Sequence, residues 1–161
     1  MTGTGIGRSC GAALWVLITL GTVPVWSKDA LVVETRDGLR LGQLAFDDGA
    51  EICLSWAHSV TGGAVSDCFE NRKGQMVLTR SYLHDFAAGL GEVAGRGTLR
   101  AAQGGGYWID GIDEALDASG LTLRIGAPHV GHILGSDQQS LNLSAMAPGV
   151  RVSLRLQSDM P

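Results

Sequence analysis

Between Glu51 and Glu70, two short runs of alternating character meet at Gly62-Gly63. Ile52, Leu54, Trp56 and His58 share one side of the first run, and Cys53, Ser55 and Ala57 share the other. Past the glycines, Val65, Asp67 and Phe69 alternate with Ala64, Ser66, Cys68 and Glu70. Successive side chains of a strand point to opposite faces, so each run presents one mostly apolar face. A Gly-Gly pair supplies the positive φ that tight hairpin turns need, and the stretch reads as a β-hairpin.

Two registers of that hairpin are open. With Gly62-Gly63 as a two-residue turn, His58 lies opposite Asp67, and Cys53 and Cys68 stand roughly 13 Å apart along the strands. That exceeds the reach of a disulfide, whose Cα atoms lie within about 7 Å. With Ser59 to Gly62 as a longer loop, Cys53 lies opposite Cys68 and a disulfide becomes available. The slip between the two is even, so no side chain changes face and the hydrophobic pattern does not choose between them. The two-residue turn is the preferred reading.

The rest of the chain follows the same pattern of short alternating runs and turn dipeptides. Strands are expected over 30–36 and 39–46 around Asp37-Gly38, over 75–83 after the turn Arg72-Lys73-Gly74, and over 107–110 after Gln103-Gly-Gly-Gly106. Further strands are expected over 121–125, 129–134, 140–143 and 150–156, the last with Arg151, Ser153 and Arg155 on its wet side. Glu114 to Ser119 is read as one helical turn, and His84 to Gly97 as a loop that packs back on the sheet. Roughly ten short strands and no long 3.6-residue period imply an all-β fold, an antiparallel β-sandwich or a partly closed barrel.

At the N-terminus, Arg8 precedes an apolar run from Cys10 to Trp26 that ends at the small Ser27. Its charge pattern and length are those of a secretory signal peptide or, if uncleaved, of an N-terminal anchor. Residues 1–27 are therefore expected to be targeting sequence, and 28–161 a single β-domain in the periplasm or outside the cell. The only membrane association expected is through residues 10–26. The chain carries 12 basic and 16 acidic residues, a net charge of −4. That balance speaks against a nucleic-acid surface.

The segments Trp56-Ala-His-Ser-Val60, Val65-Ser-Asp-Cys-Phe69, Phe86-Ala-Ala-Gly-Leu-Gly91 and Leu141 to Gly149 resemble a bacterial family known as "domain of unknown function 1850". In that family the position of Asp67 is more often glutamate, and the two cysteines are not part of the pattern. The resemblance implies an exported small β-protein, frequently encoded beside tripartite periplasmic transporters of the TAXI type. A periplasmic solute-binding protein or the membrane transporter itself is then the implied partner.

Candidate site residues follow from the hairpin and the glycine-rich loop. His58 and Asp67 share a face, and a carboxylate beside an imidazole fixes its tautomer and raises its pKa, as a general base or a ligand grip requires. The binding candidates are His58, Ser59 and Asp67, with Phe86, Gly89 and Gly91 in the loop. His129 and His132 form an H-x-x-H pair that would need a third ligand from His84, Asp85 or Asp67, and no metal site is expected. No nucleophile elbow and no phosphate loop are present, and no cofactor is expected. Three functional classes remain: a binding or accessory module of a solute-uptake system, a small hydrolase or isomerase using His58 with Asp67, and a structural envelope protein.

Overall fold

The computed structural model describes residues 1–3, 29–85 and 95–158. The candidate loop residues Phe86, Gly89 and Gly91 and most of the N-terminal targeting segment lie outside them. Eleven strands and one short helix make up the described part: β1 (Asp29–Thr35), β2 (Arg40–Ala45), β3 (Glu51–Ala57), β4 (Ala64–Arg72), β5 (Gln75–Leu83) and β6 (Thr98–Ala101) come first. They are followed by β7 (Tyr107–Ala115), β8 (Leu121–Arg124), β9 (Ile133–Gly135), β10 (Ser140–Asn142), α1 (Leu143–Met146) and β11 (Arg151–Ser158). The strands form two antiparallel sheets, one of four strands in the order β2-β1-β11-β8 and one of seven in the order β10-β9-β3-β4-β5-β7-β6. The fold is thus an all-β sandwich, without closure into a barrel.

Alternation explains which residues meet between the sheets. Leu31 and Val33 of β1 and Val152 and Leu154 of β11 face Ile52 and Leu54 of β3 and Phe69 of β4, all buried in one cluster. Along one margin, where β2 approaches β10, a side chain on Gly42 would lie 2.9 Å from the end of the Leu141 side chain, so glycine lets Leu141 pack close there. Asn71 ties the two sheets together. Its amide donates to the Asp29 carboxylate at 2.9 Å and to the Phe46 carbonyl at 2.6 Å, while its side-chain oxygen accepts from Gly74 N–H. A fully buried amide needs this complete set of partners.

Several sequence expectations shift. β6 falls at 98–101, beyond the expected loop, and β7 runs through Ala115 where a helical turn was read. The pattern reading stopped at Asp110, but β7 carries a bulge between its pairings with Leu78 and Arg80, where Gly111 and Asp113 take positive φ. Three residues of β7, 111–113, lie opposite Thr79 alone, which interrupts the regular alternation and hides the continuation of the strand. The expected strand over 129–134 begins as a turn, with only Ile133–Gly135 paired. Leu143 opens a helical turn capped by Asn142, whose side chain accepts from Ala145 N–H.

Candidate functional site

The β3–β4 hairpin takes the longer loop. Cys53 is opposite Cys68, Leu54 opposite Asp67 and Ala57 opposite Ala64. The turn is closed by His58 N–H to Gly63 C=O and Gly62 N–H to His58 C=O, both 2.8 Å, with Gly62 at φ 71°. This corrects the preferred two-residue turn. Ser59 to Gly62 forms the loop instead, because this four-residue turn satisfies the His58 carbonyl with the Gly62 N–H. Cys53 and Cys68 form a disulfide across the strands, with Cα atoms 4.0 Å apart. That spacing is typical of a non-hydrogen-bonded antiparallel pair, whose side chains leave the same face close together.

His58 and Asp67 are consequently not brought together. Asp67 is four strand positions from His58, about 13 Å at ~3.3 Å per residue. His58 is half-buried at the turn, its Nδ1 accepting from Thr61 N–H at 3.2 Å, and Ser59 is exposed beside it. Asp67 points inward between Val65 and Phe69, where the Ser81 hydroxyl donates to it at 2.5 Å. Desolvation raises the Asp67 pKa, with the Ser81 hydrogen bond and the charge of Arg96 opposing the rise. The imidazole–carboxylate contact required for a His58-based hydrolase is absent from this arrangement.

The opposite, outward face of the same hairpin carries the more developed constellation. Row by row across the sheet, Cys68 faces Arg80, which faces Asp110, while Ser55 faces Ser66, then Tyr82, Trp108 and Arg100. The Arg80 guanidinium binds Glu51 through two hydrogen bonds of 2.5 and 3.1 Å. Its plane lies 4.6 Å from the centroid of Trp108, against which Tyr82 packs at 5.4 Å. Arg100 is bound to Asp110 at 2.8 Å. Each cation on this face therefore has its anion, and Arg80 also has a ring to stack on.

These side chains enclose a trough. Its floor is made of the small groups Cys53, Ser55 and Ser66, with Arg80 and Glu51 on one side and the turn over 135–139 on the other, enclosing about 650 Å³. A second hollow of about 440 Å³ adjoins it over Tyr82, Trp108 and Arg100, sharing Ser66. The Ser55 and Ser66 hydroxyls bond to each other at 2.8 Å. Among the described residues the structure records no histidine or carboxylate as a hydrogen-bond partner of either hydroxyl. Glu51, Cys53 and Cys68 place three ligand-type atoms within 4.8 Å of one another. Both sulfurs are consumed in the disulfide, however, and a thiolate is what a metal would need.

His132 has a role that sequence reasoning missed. Its ring stacks on Trp56 with centroids 5.7 Å apart and planes 19° from parallel. Gly126 N–H donates to Nδ1 at 2.9 Å, which fixes the neutral tautomer with its proton on Nε2. Ser144, buried, accepts from His132 N–H and donates to the Gly126 carbonyl. Burial lowers the His132 pKa, and protonation would also cost the Gly126 hydrogen bond. His129 is exposed in the preceding turn and takes no part. The signal for His132 in the sequence is its place directly after Gly131, in a segment that also holds Gly126.

The site is thus an open antiparallel sandwich with a cross-strand disulfide at the floor of a trough on its seven-stranded sheet. The chain belongs to the family described as domain of unknown function (DUF1850), whose model matches residues 52–143. Neither a curated protein nor a solved structure matches the chain.

Proposed function

We propose that this chain is an exported binding module that serves a periplasmic solute-uptake system of the tripartite TAXI type, with the trough on the seven-stranded sheet as its contact site. The single observation that carries the reading is the trough itself: a floor of small residues, hydroxyls and a disulfide, with the Arg80–Glu51 ion pair along one wall. Such a surface recognises its partner by shape and hydrogen bonding, and it does so without catalytic machinery. The disulfide supports export, because such bonds persist in oxidising compartments and are rare in the cytosol. The N-terminal segment supports it too, either as a cleaved signal or as a tether to the inner membrane through residues 10–26. The resemblance to a family often encoded beside such transporters supports the choice of partner, a soluble solute receptor or the transporter.

The test is calorimetric titration of the purified protein against the solute receptor encoded nearest to it, with and without the receptor's ligand. Saturable binding that is lost in Ser66→Trp, which fills the trough, is the expected result. Failure to bind the receptor and the transporter alike would remove the proposal.

A further inference from the structure

The outer face of the four-stranded sheet carries a charge pattern that the proposed function does not use. Five of the ten arginines in the chain lie on or beside it: Arg36, Arg40, Arg124, Arg151 and Arg155. Among the strand positions of that face, Glu34 is the one carboxylate, and its charge is committed to Arg155 and Arg40. The hydrogen bond from Arg155 holds the Glu34 carboxyl below its ordinary pKa, so it stays ionised and paired. Arg36 and Arg151 have no ion pair among the described residues. In a chain of net charge −4, this face is locally cationic.

The register adds a second, independent observation. Arg151 is directly opposite Arg124 across β11 and β8. Like charges directly opposite on an antiparallel pair are destabilising, and a sheet selected for stability alone would place a carboxylate or a hydroxyl at one of them. A cleft of about 510 Å³ opens on the same face, walled by the β1–β2 turn at Arg36 and floored by Thr122, Arg151, Ser153 and Arg155. Two guanidinium groups without an ion pair and the Thr122 and Ser153 hydroxyls, bonded to each other at 3.4 Å so that one proton remains free to donate, thus converge on one concave space. Guanidinium is the cation best shaped to bind tetrahedral oxyanions, through its planar fork of donors.

We propose that this cleft binds a dianionic phosphoryl group on a small soluble molecule, with Arg36 and Arg151 supplying the two balancing charges and the Thr122–Ser153 hydroxyl pair a hydrogen bond to its oxygens. A soluble ligand is favoured over a membrane surface because the arginines line a recess behind the turn and share it with Glu34. A flat bilayer would meet the carboxylate as well and would not enter the recess. The site is independent of the trough on the other sheet.

The probe is inorganic phosphate, titrated calorimetrically into the full-length protein against chloride at matched ionic strength. Saturable phosphate binding is expected, and the double variant Arg36→Gln/Arg151→Gln should weaken it about tenfold or more, equivalent to at least one lost charged contact. Arg100→Gln, on the opposite side of the molecule and paired with Asp110, should leave the affinity within about twofold. The circular dichroism of each variant confirms folding, and both substitutions replace exposed side chains. The proposal is overturned if chloride reproduces the heat, or if the double variant binds as the parent does. It is equally overturned if the protein binds anionic phospholipid vesicles while phosphate neither binds nor competes.

Discussion

On the outer face of the seven-stranded sheet, Arg80 is held by Glu51 and Arg100 by Asp110. On the outer face of the four-stranded sheet, Arg124 looks across at Arg151, and Glu34 alone answers Arg40 and Arg155. Both faces are wet and rich in arginine, yet one neutralises its charges and the other accumulates them. The consequence is a division of labour in recognition. Neutral pairing leaves hydrogen bonds and shape to select a partner, whereas uncompensated charge selects an anion. The matched family segment, 52–143, takes in β3 to β10 and leaves out β1, β2 and β11. The paired face therefore falls inside the matched segment, and most of the cationic face lies outside it.

The largest expected effect bears on the paired face. Replacing both members of the disulfide, Cys53→Ser with Cys68→Ser, reopens a loop of separation 15 and should lower unfolding stability by about 3 kcal/mol. Urea melts of oxidised parent and variant measure it, and an unchanged midpoint would mean that the hairpin needs no covalent tie. Next comes the junction between the sheets. Asn71→Ala should cost about 2 kcal/mol, because the buried Phe46 carbonyl loses its donor.

Two titrating groups on the seven-stranded side should then act with opposite sign. The His132 pKa is depressed by burial, so the unfolded chain binds the proton more readily and stability is lost as pH falls below 6.5. The Asp67 pKa is raised by burial, so the folded state holds the proton and that contribution is lost as pH rises above 3.8. Thermal melts across pH should show the acid-side loss flattened in His132→Gln and the loss above pH 3.8 flattened in Asp67→Asn. If either variant keeps the parental slope, another group is responsible.

The smallest effects sharpen the contrast most directly, because they differ in sign. Arg80→Gln removes one half of an exposed ion pair and should destabilise by no more than about 1 kcal/mol. Arg151→Gln removes one of the two opposed cations while Arg124 keeps its hydrogen bond to the Gly149 carbonyl, and should stabilise by roughly 0.2–1 kcal/mol at low salt. Chemical denaturation at low and high ionic strength distinguishes them, since screening should shrink both differences.

Much of this architecture was legible in the residues. The alternation of Val65, Asp67 and Phe69 against Ser66 and Cys68 assigned the faces of β4 correctly, and Asp37-Gly38 and Lys73-Gly74 marked real turns. The site was less legible. Arg80 and Tyr82 come from β5 and Trp108 from β7, and only the pairing order of the strands brings them beside Ser66 of β4. Arg36 and Arg151 are separated by more than a hundred residues, and each alone is an ordinary surface arginine.

Side-chain period, turn dipeptides and the inward-facing apolar set follow from the order of residues alone, since they depend only on local backbone geometry. The register of the central hairpin does not. Moving it by an even step leaves every inward residue inward, so Cys53 opposite Cys68 and His58 opposite Asp67 look the same to any local rule. The three-dimensional packing chose between them: the carbonyl of His58 closes the longer turn, Asp67 finds the hydroxyl of Ser81, and the two sulfurs meet.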